Sequence, residues 1–475
     1  MTGPFSGTAS ANALSAGVEP PSWVSDNFGI TLSDRSAPVG LNMRDMLRLA
    51  LRRNPKRAQL LVSTVLGKHL AADPLVITGV GRLLGAMVGR RLAGDEQPVP
   101  QEWVIAARQA VSGADPAAWE RVLGCAGGGV PGTGLLVFGF AETATSVGHL
   151  VADQLGADYL HSTRRTDGST QVAAEFSEPH SHATGHLLRP VDPELLAGHG
   201  PLVLVDDELS TGRTALNVIE ALHEHNPRER YVLAGLVDVR SDADDLNRLE
   251  LAERLGCRID VVSLVRGNVF VPDGTVQLVA AQLDDSAEGV VVRPTAQSGL
   301  VSRIDLCWPG EVPHGGRHGF LNTDRARFDA AISTAAAQLA SAVGAASRLL
   351  ILGTEELMYL PLRLGRELAL DPRRQVAFQS TTRSPVHAID DPGYPIRRRI
   401  EFLSGTTSGG TIDGGELVTR FVYNASWPAS GAEETIHEAD LIVIVDDGHA
   451  LVGPAGVAGA VAAATGVPVV LAVLA

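Results

Sequence analysis

Five β-rich runs separated by helix-length segments constrain the fold of this chain more than any other feature. They are "GLLVFGF" at 134–140, "GADYLHS" at 156–162, "GPLVLVDD" at 200–207, "RYVLAGLVDVR" at 230–240 and "IDVVSLV" at 259–265. Strands that read as apolar runs, and not as an apolar–polar alternation, are buried on both faces. Their alternation with helices predicts an α/β fold on a parallel sheet with both faces covered.

The pattern returns in the second half, in "RLLILGTEELMYLPLRLGRELA", "RQVAFQSTTRSPV" and "ADLIVIVDDGHALVGPAGVAGAVAAATG". The halves read as two copies of one plan, the second degenerate. Gly139 pairs with Gly353, Glu142 with Glu356, Arg165 with Arg383, and "LVLVDDELSTGRT" with "LIVIVDDGHALVG". A chain of 475 residues, 45% hydrophobic, has room for two to three domains with real cores. The expected division is a flexible tail over 1–40, a first domain with an N-terminal extension over 41–275, a linker with a Gly-rich loop ("CWPGEVPHGGRHGF") over 276–320, and a second α/β domain over 321–475.

A formal charge of -15 offers no general attraction to nucleic acid or anionic membranes. An anionic ligand must then be held by local geometry and a few placed cations. Cys125, Cys257 and Cys307 stand far apart with no CxxC pair, which fits a reducing, cytoplasmic setting. The N-terminus lacks the basic and apolar regions of a signal peptide. The C-terminal "VAGAVAAATGVPVVLAVLA" approaches the length of a membrane span, but Gly466 and Pro468 split it into a helix and a strand, so a buried αβ unit is expected.

Chemistry concentrates at "VLVDDELSTGRTA". Asp206 and Asp207 end an apolar strand, at the edge of a parallel sheet where ligands bind. Ser210, Thr211, Gly212, Arg213 and Thr214 then supply hydroxyls, a permissive glycine and backbone N–H groups before the next helix, a turn that can cradle a phosphate dianion. Carboxylates beside such a cradle suit a ligand with a phosphate at one end and vicinal hydroxyls in the middle, the shape of a ribose 5-phosphate.

This stretch resembles the phosphoribosyl-diphosphate (PRPP) binding loop of the type I phosphoribosyltransferases: apolar strand, two acids, two residues, then Thr-Gly-x-Thr. "VFGFAETATSVGH" stands where the family has its diphosphate loop, which implies roles for Gly139, Glu142, Thr143 and Ala144. "YLHSTRRTDG" resembles the next strand and its basic exit, making Arg164 and Arg165 the diphosphate candidates. "EFSEPHSHATGH" occupies the position of the mobile hood, where Glu178, His180 and His182 replace the lysine and histidine of orotate-type relatives. These histidines also fit a solvated loop or a metal-binding pair. More narrowly, "TTRSPV", "RRNPKRAQLLVSTVLGKH", "GFAETAT" and "EPHSHA" make the chain similar to bacterial phosphoribosyltransferases with a C-terminal TRSP domain, encoded among tellurite-resistance and stress clusters.

The resemblance implies Mg2+-dependent displacement of diphosphate from PRPP by an unidentified base-like acceptor, with Asp206 and Asp207 on the ribose. The ion is carried by substrate oxygens near this pair, with no dedicated protein cage. The other reading is a regulator that senses PRPP without catalysis. A homodimer is left open. "VDDGHALVG" has the acids without the cradle, so a second PRPP site is not expected; His314, Arg317, His318, Arg383 and Ser384 are the candidates for a second-domain site. Two glycine patterns compete: "GGGVPG" at 127–132 precedes a strand and reads as a loop, while "PLVITGVGRLLGAMV", read as strand then helix with Gly79, Gly81 and Gly85, gives a weak dinucleotide-binding alternative.

Overall fold

The computed structural model describes residues 22–54, 57–123, 134–165, 172, 174–176, 186–283, 291–292, 300–405, 407–408, 411–412, 417–425, 439–451 and 453–475. The five runs become five parallel strands in the order Asp158–His161, Leu136–Gly139, Leu202–Leu209, Arg230–Asp238, Arg258–Phe270. Successive side chains point to opposite faces, and both faces are apolar. Val137, Val203 and Val205 pack on one side with the helices Pro74–Leu92 and Thr145–Leu155. Leu136, Phe138, Leu202 and Leu204 pack on the other with Ala215, Val218 and Ile219 of the helix Arg213–His225. This double burial is the physical content of the continuous apolar runs.

The second half forms another all-parallel sheet, ordered Gln375–Ser380, Arg348–Gly353, Leu441–Asp446, Val469–Leu474, Val301–Leu306. One face packs Leu350, Leu352, Ile442 and Ile444 against the helix Val457–Thr465. Its opposite face, with Leu349, Ile351, Val443 and Val445, belongs to the same core cluster as Val137 and Val203 of the first half. The two halves therefore share a continuous hydrophobic core. The apolar C-terminus is a short helix and a buried inner strand, and among the described residues no helix is long and apolar enough to cross a membrane.

Three sequence expectations change. Within the expected tail, residues 23–28 form a helix and Thr31–Ser36 adds an antiparallel edge strand to Arg258–Phe270. Within the expected linker, Val301–Leu306 is the edge strand of the second sheet. "PLVITGVGRLLGAMV" is helical throughout, so its glycines follow no strand and bind no dinucleotide turn. They give room for close packing: a Cβ on Gly79 would lie 2.4 Å from Trp119, on Gly81 2.6 Å from Leu150, and on Gly85 2.7 Å from Gln154. "GGGVPG" lies outside the described residues.

The sheets repeat one another in register. Gly139 is paired with His161 on one side and Val205 on the other; Gly353 is paired likewise with Ser380 and Val445. Beyond the strands, Ser162 N–H donates to Gly139 C=O and Thr381 N–H to Gly353 C=O, each at 3.0 Å. The Ser162 hydroxyl accepts from Ala141 N–H at 2.9 Å, and the Thr381 hydroxyl from Glu355 N–H at 2.8 Å. Thr163 exchanges backbone bonds with Leu187, and Thr382 with Phe421. Glu142 therefore corresponds to Glu356 and Asp206 to Asp446, as the sequence alignment had them. The strand exits shift by one residue: Arg383 corresponds to Arg164, and Ser384, not Arg383, to Arg165.

Candidate functional site

At the carboxyl edge of the first sheet, the strand order reverses direction between Leu136–Gly139 and Leu202–Leu209, and the loops leaving these two strands diverge to opposite faces. Such a switch point opens a crevice for a ligand. Asp206 and Asp207 lie half-buried within the middle strand, which runs on past the expected end to Leu209, with Asp207 N–H donating to an Asp206 carboxylate oxygen at 2.9 Å. Glu208 is held beside them by Arg57 at 2.8 Å.

The turn then closes on Gly212, whose φ of +72° is a left-handed conformation that glycine adopts without steric cost. Gly212 caps the helix Arg213–His225, and Arg213 N–H points to the Thr211 hydroxyl at 3.4 Å. No side chain caps the helix start, so its N-terminal dipole is directed at this turn. Behind the turn, Arg240 is 2% exposed and grips both oxygens of Asp238 at 2.9 Å. Its Cδ stands 3.2 Å from where a Gly212 Cβ would be, so the turn rests on a buried ion pair.

The neighbouring loop runs from Gly139 to Ala144, the residue that caps the helix Thr145–Leu155. The Ala141–Glu142 peptide is cis. Lys68, from the N-terminal extension, donates to the Thr143 hydroxyl at 2.7 Å. Glu142 is nearly buried, its side chain 10% exposed; desolvation and Glu355 push its carboxyl up, against Arg383, Lys68 and Arg164, which favour the charged form. Gly139, expected to allow a ligand close approach, has a different local reason. A Cβ there would meet the Tyr159 hydroxyl at 2.3 Å and Ala144 C=O at 3.0 Å, and that hydroxyl is fixed by a 2.8 Å bond to Thr145 C=O. Gly139→Ala is expected to cost about 1–3 kcal/mol through overpacking, read as a lowered denaturant midpoint; an unchanged midpoint would contradict the fit.

Arg165 is bound to Asp447 of the second half at 3.1 Å. Arg164 lines a cavity with Arg383 and Arg420 and acts electrostatically on Glu142. The exchange runs both ways: Arg383 pairs with Glu142 and with Glu355, while Glu356 accepts from the Thr163 hydroxyl at 2.8 Å and pairs with Arg317. Arg317 and Arg165 hold Glu356 down at about 2 despite complete burial. Glu178, His180 and His182 lie outside the described residues; the hood's place is framed by a short hairpin, Ala174–Phe176 with His186–Leu188.

His314, Arg317 and His318 come together around a second cavity of about 190 Å³ between the halves, with His161 and Tyr359. His318 Nδ1 is 2.9 Å from Arg189 C=O. Burial lowers His314, and lowers His161 to about 4, so both rings are neutral at pH 7. Arg383 is turned to Glu355 and Glu142, and Ser384 N–H donates to the Thr382 hydroxyl at 3.2 Å. Sequence reading missed Lys68, Arg57, Glu355 and Arg420. Lys68 sits in "VLGKH", a basic residue ending an apolar run, which is the one local signal among them.

The family model described as "Phosphoribosyl transferase" matches residues 46–268, and the one described as "TRSP domain C terminus to PRTase_2" matches residues 314–451. The first half is thus a phosphoribosyltransferase domain. The chain belongs to the family in which that domain is followed by a TRSP domain. No curated protein matches it. Among solved structures, the adenine phosphoribosyltransferase of Giardia lamblia, complexed with 9-deazaadenine, is 21% identical over 34% of this chain and 82% of that one, with a TM-score of 0.21. The Trypanosoma brucei adenine phosphoribosyltransferase, in complex with AMP, pyrophosphate and ribose-5-phosphate, is 14% identical over 40% of this chain and 75% of that one, with a TM-score of 0.24. Scores this low carry neither fold nor function across.

Proposed function

We propose that the first half transfers the phosphoribosyl group of PRPP to a base-like acceptor, with release of diphosphate. The observation that carries this reading is the acid pair Asp206–Asp207 set beside a left-handed Gly212 turn and an uncapped helix start, at the switch point of a parallel sheet. In the reaction an acceptor nitrogen bonds to the anomeric carbon as the bond from that carbon to the diphosphate oxygen breaks. The acceptor's proton leaves to solvent or a base, and the electron pair departs with diphosphate.

Asp206 and Asp207 would accept hydrogen bonds from the ribose hydroxyls and stabilise the positive charge that grows on the ring. The 5-phosphate would sit on the N–H groups of residues 210–214. Lys68, with Thr143, would meet the diphosphate, and Arg164 would add charge beside Glu142. The two aspartates supply hard oxygens of the type that suits Mg2+, which when bound would neutralise the leaving group.

Diphosphate release from PRPP and Mg2+ that depends on an added base, across a panel of bases and a cell extract, is the test; no release with any acceptor sinks the proposal. The placement of Arg165 on Asp447 favours one competing reading, a PRPP-sensing protein without turnover. Tight PRPP binding with no diphosphate release would select it. Under either reading Lys68→Met is expected to weaken PRPP binding about tenfold, the loss of one charge-assisted hydrogen bond of about 1.5 kcal/mol. Calorimetric titration checks this, and unchanged affinity removes Lys68 from the site.

A further inference from the structure

The second half has its own cavity, of about 180 Å³. At about 30 Å³ per water, that is the room of roughly six waters. It lies between the carboxyl ends of the second sheet, at Thr354, Thr381 and Asp446, and the hairpin Arg399–Ser404 with Val418–Tyr423. Phe421 of that hairpin pairs with Thr382 as Leu187 of the first-half hairpin pairs with Thr163. The cavity therefore occupies, in the second half, the place under the hairpin where the first half has its switch-point crevice.

Its walls differ from the first half in one decisive way. Asp446 is spent on its own loop, accepting from Gly448 N–H at 2.8 Å and Ala450 N–H at 2.9 Å, and Asp447 is spent on Arg165 and Arg317. The acid pair is thus committed within the protein, where it gives no grip on vicinal hydroxyls. Four guanidiniums line the cavity instead: Arg164 and Arg165 from the first half, Arg383 and Arg420 from the second. They face four carboxylates: Glu355 and Asp446 in the wall, Glu142 against Arg383 and Asp447 against Arg165, with Glu355 bound by Arg383, Arg420 and the Ser404 hydroxyl. Guanidinium forks match phosphoryl oxygens and stay charged when dehydrated. Phe402, Leu403 and Val418 add apolar wall.

We infer that this cavity is a second ligand site, composite between the two halves, for a small phosphomonoester with an apolar or aromatic body. Asp206 and Asp207 do not line it, so it stands whether or not the first half transfers a phosphoribosyl group. Phenyl phosphate and inorganic phosphate, titrated calorimetrically into the full-length protein, are the probes. Arg420→Ala is the direct variant, but it strips a buried partner from Glu355. Val418→Glu, at a position 37% exposed on the hairpin, places repulsive charge at the mouth without removing a buried contact.

Phenyl phosphate is expected to bind severalfold more tightly than inorganic phosphate. Val418→Glu should weaken it at least tenfold, while Ser210→Glu, which puts an acid in the first-half phosphate turn, should leave it within twofold. Loss of binding in Ser210→Glu with none in Val418→Glu would place the probe at the first-half turn and overturn the proposal. So would the absence of saturable binding, and equal affinity for the two probes would overturn the ester assignment.

Discussion

Replacing Asp206 and Asp207 together with asparagine is expected to lower phosphoribosyl transfer by at least a hundredfold while leaving the fold intact. Each carboxylate offers charge-assisted hydrogen bonds worth roughly 1.5–3 kcal/mol, and each 1.36 kcal/mol is a factor of about ten in rate. The two groups are adjacent and share one substrate, so their effects should not add fully. The loss should fall on turnover more than on PRPP affinity, because the acids serve a positive charge that is largest in the transition state. Asparagine keeps the shape of both side chains in the half-buried second half of a strand whose residues 202–205 are buried, so the circular dichroism spectrum should not move. Glu208→Gln is the internal control: Glu208 is paired with Arg57 at 2.8 Å and is expected to cost less. Full turnover by the double variant would remove the acid pair from the site.

Much of this architecture was legible because burial on both faces of a parallel sheet leaves a mark in local sequence. "PLVLV" before the acids and "LIVIV" before their second-half counterparts are unbroken apolar runs, and each became an inner strand. The internal repeat was legible for the same reason, but its register at the strand exits was not. Arg164 and Arg165 stand side by side, so either can be aligned with Arg383. Only the hydrogen bonds from Ser162 and Thr381 to the preceding glycine strands decide between them.

The helix with Gly79, Gly81 and Gly85 was misread because closely spaced glycines serve two purposes. They permit a tight ligand turn, and they also let two helices touch, which is their use here. The cross-links between the halves left no local trace at all. Glu356 meets Thr163 across 193 residues and Arg383 meets Glu142 across 241, so nothing in the neighbourhood of either predicts its partner. The lysine on Thr143 comes from 75 residues upstream.

Glu356→Ala is expected to destabilise the chain by about 3–5 kcal/mol, the cost of removing one member of a buried ion pair. Its side chain is 1% exposed and holds Arg317 together with the Thr163 hydroxyl. Its loss leaves Arg317 with the Asp447 contact at 3.3 Å, and Asp447 must serve Arg165 as well. The same variant tests the pH dependence. Glu356 has a depressed folded pKa of about 2 against an ordinary 4.5, so its contribution is fully present above about 4.5 and is lost as the pH falls towards 2. The loss should come to about 3 kcal/mol.

His161, held to about 4 by burial, acts at higher pH: it is neutral and costless above 6.5, and the price of charging it grows as the pH falls from 6.5 to 4. Wild-type protein should therefore lose stability in two stages on acidification, and Glu356→Ala should lose most of the second and carry the first on to lower pH, because the Glu356 charge raises His161 against burial. Denaturant midpoints measured from pH 7 down to pH 3 separate the two. Because one core spans both halves, the midpoint should move as a single transition. A variant within 1 kcal/mol of wild type at pH 7, or with an unchanged slope below pH 4.5, would mean that Glu356 does not bind the halves together.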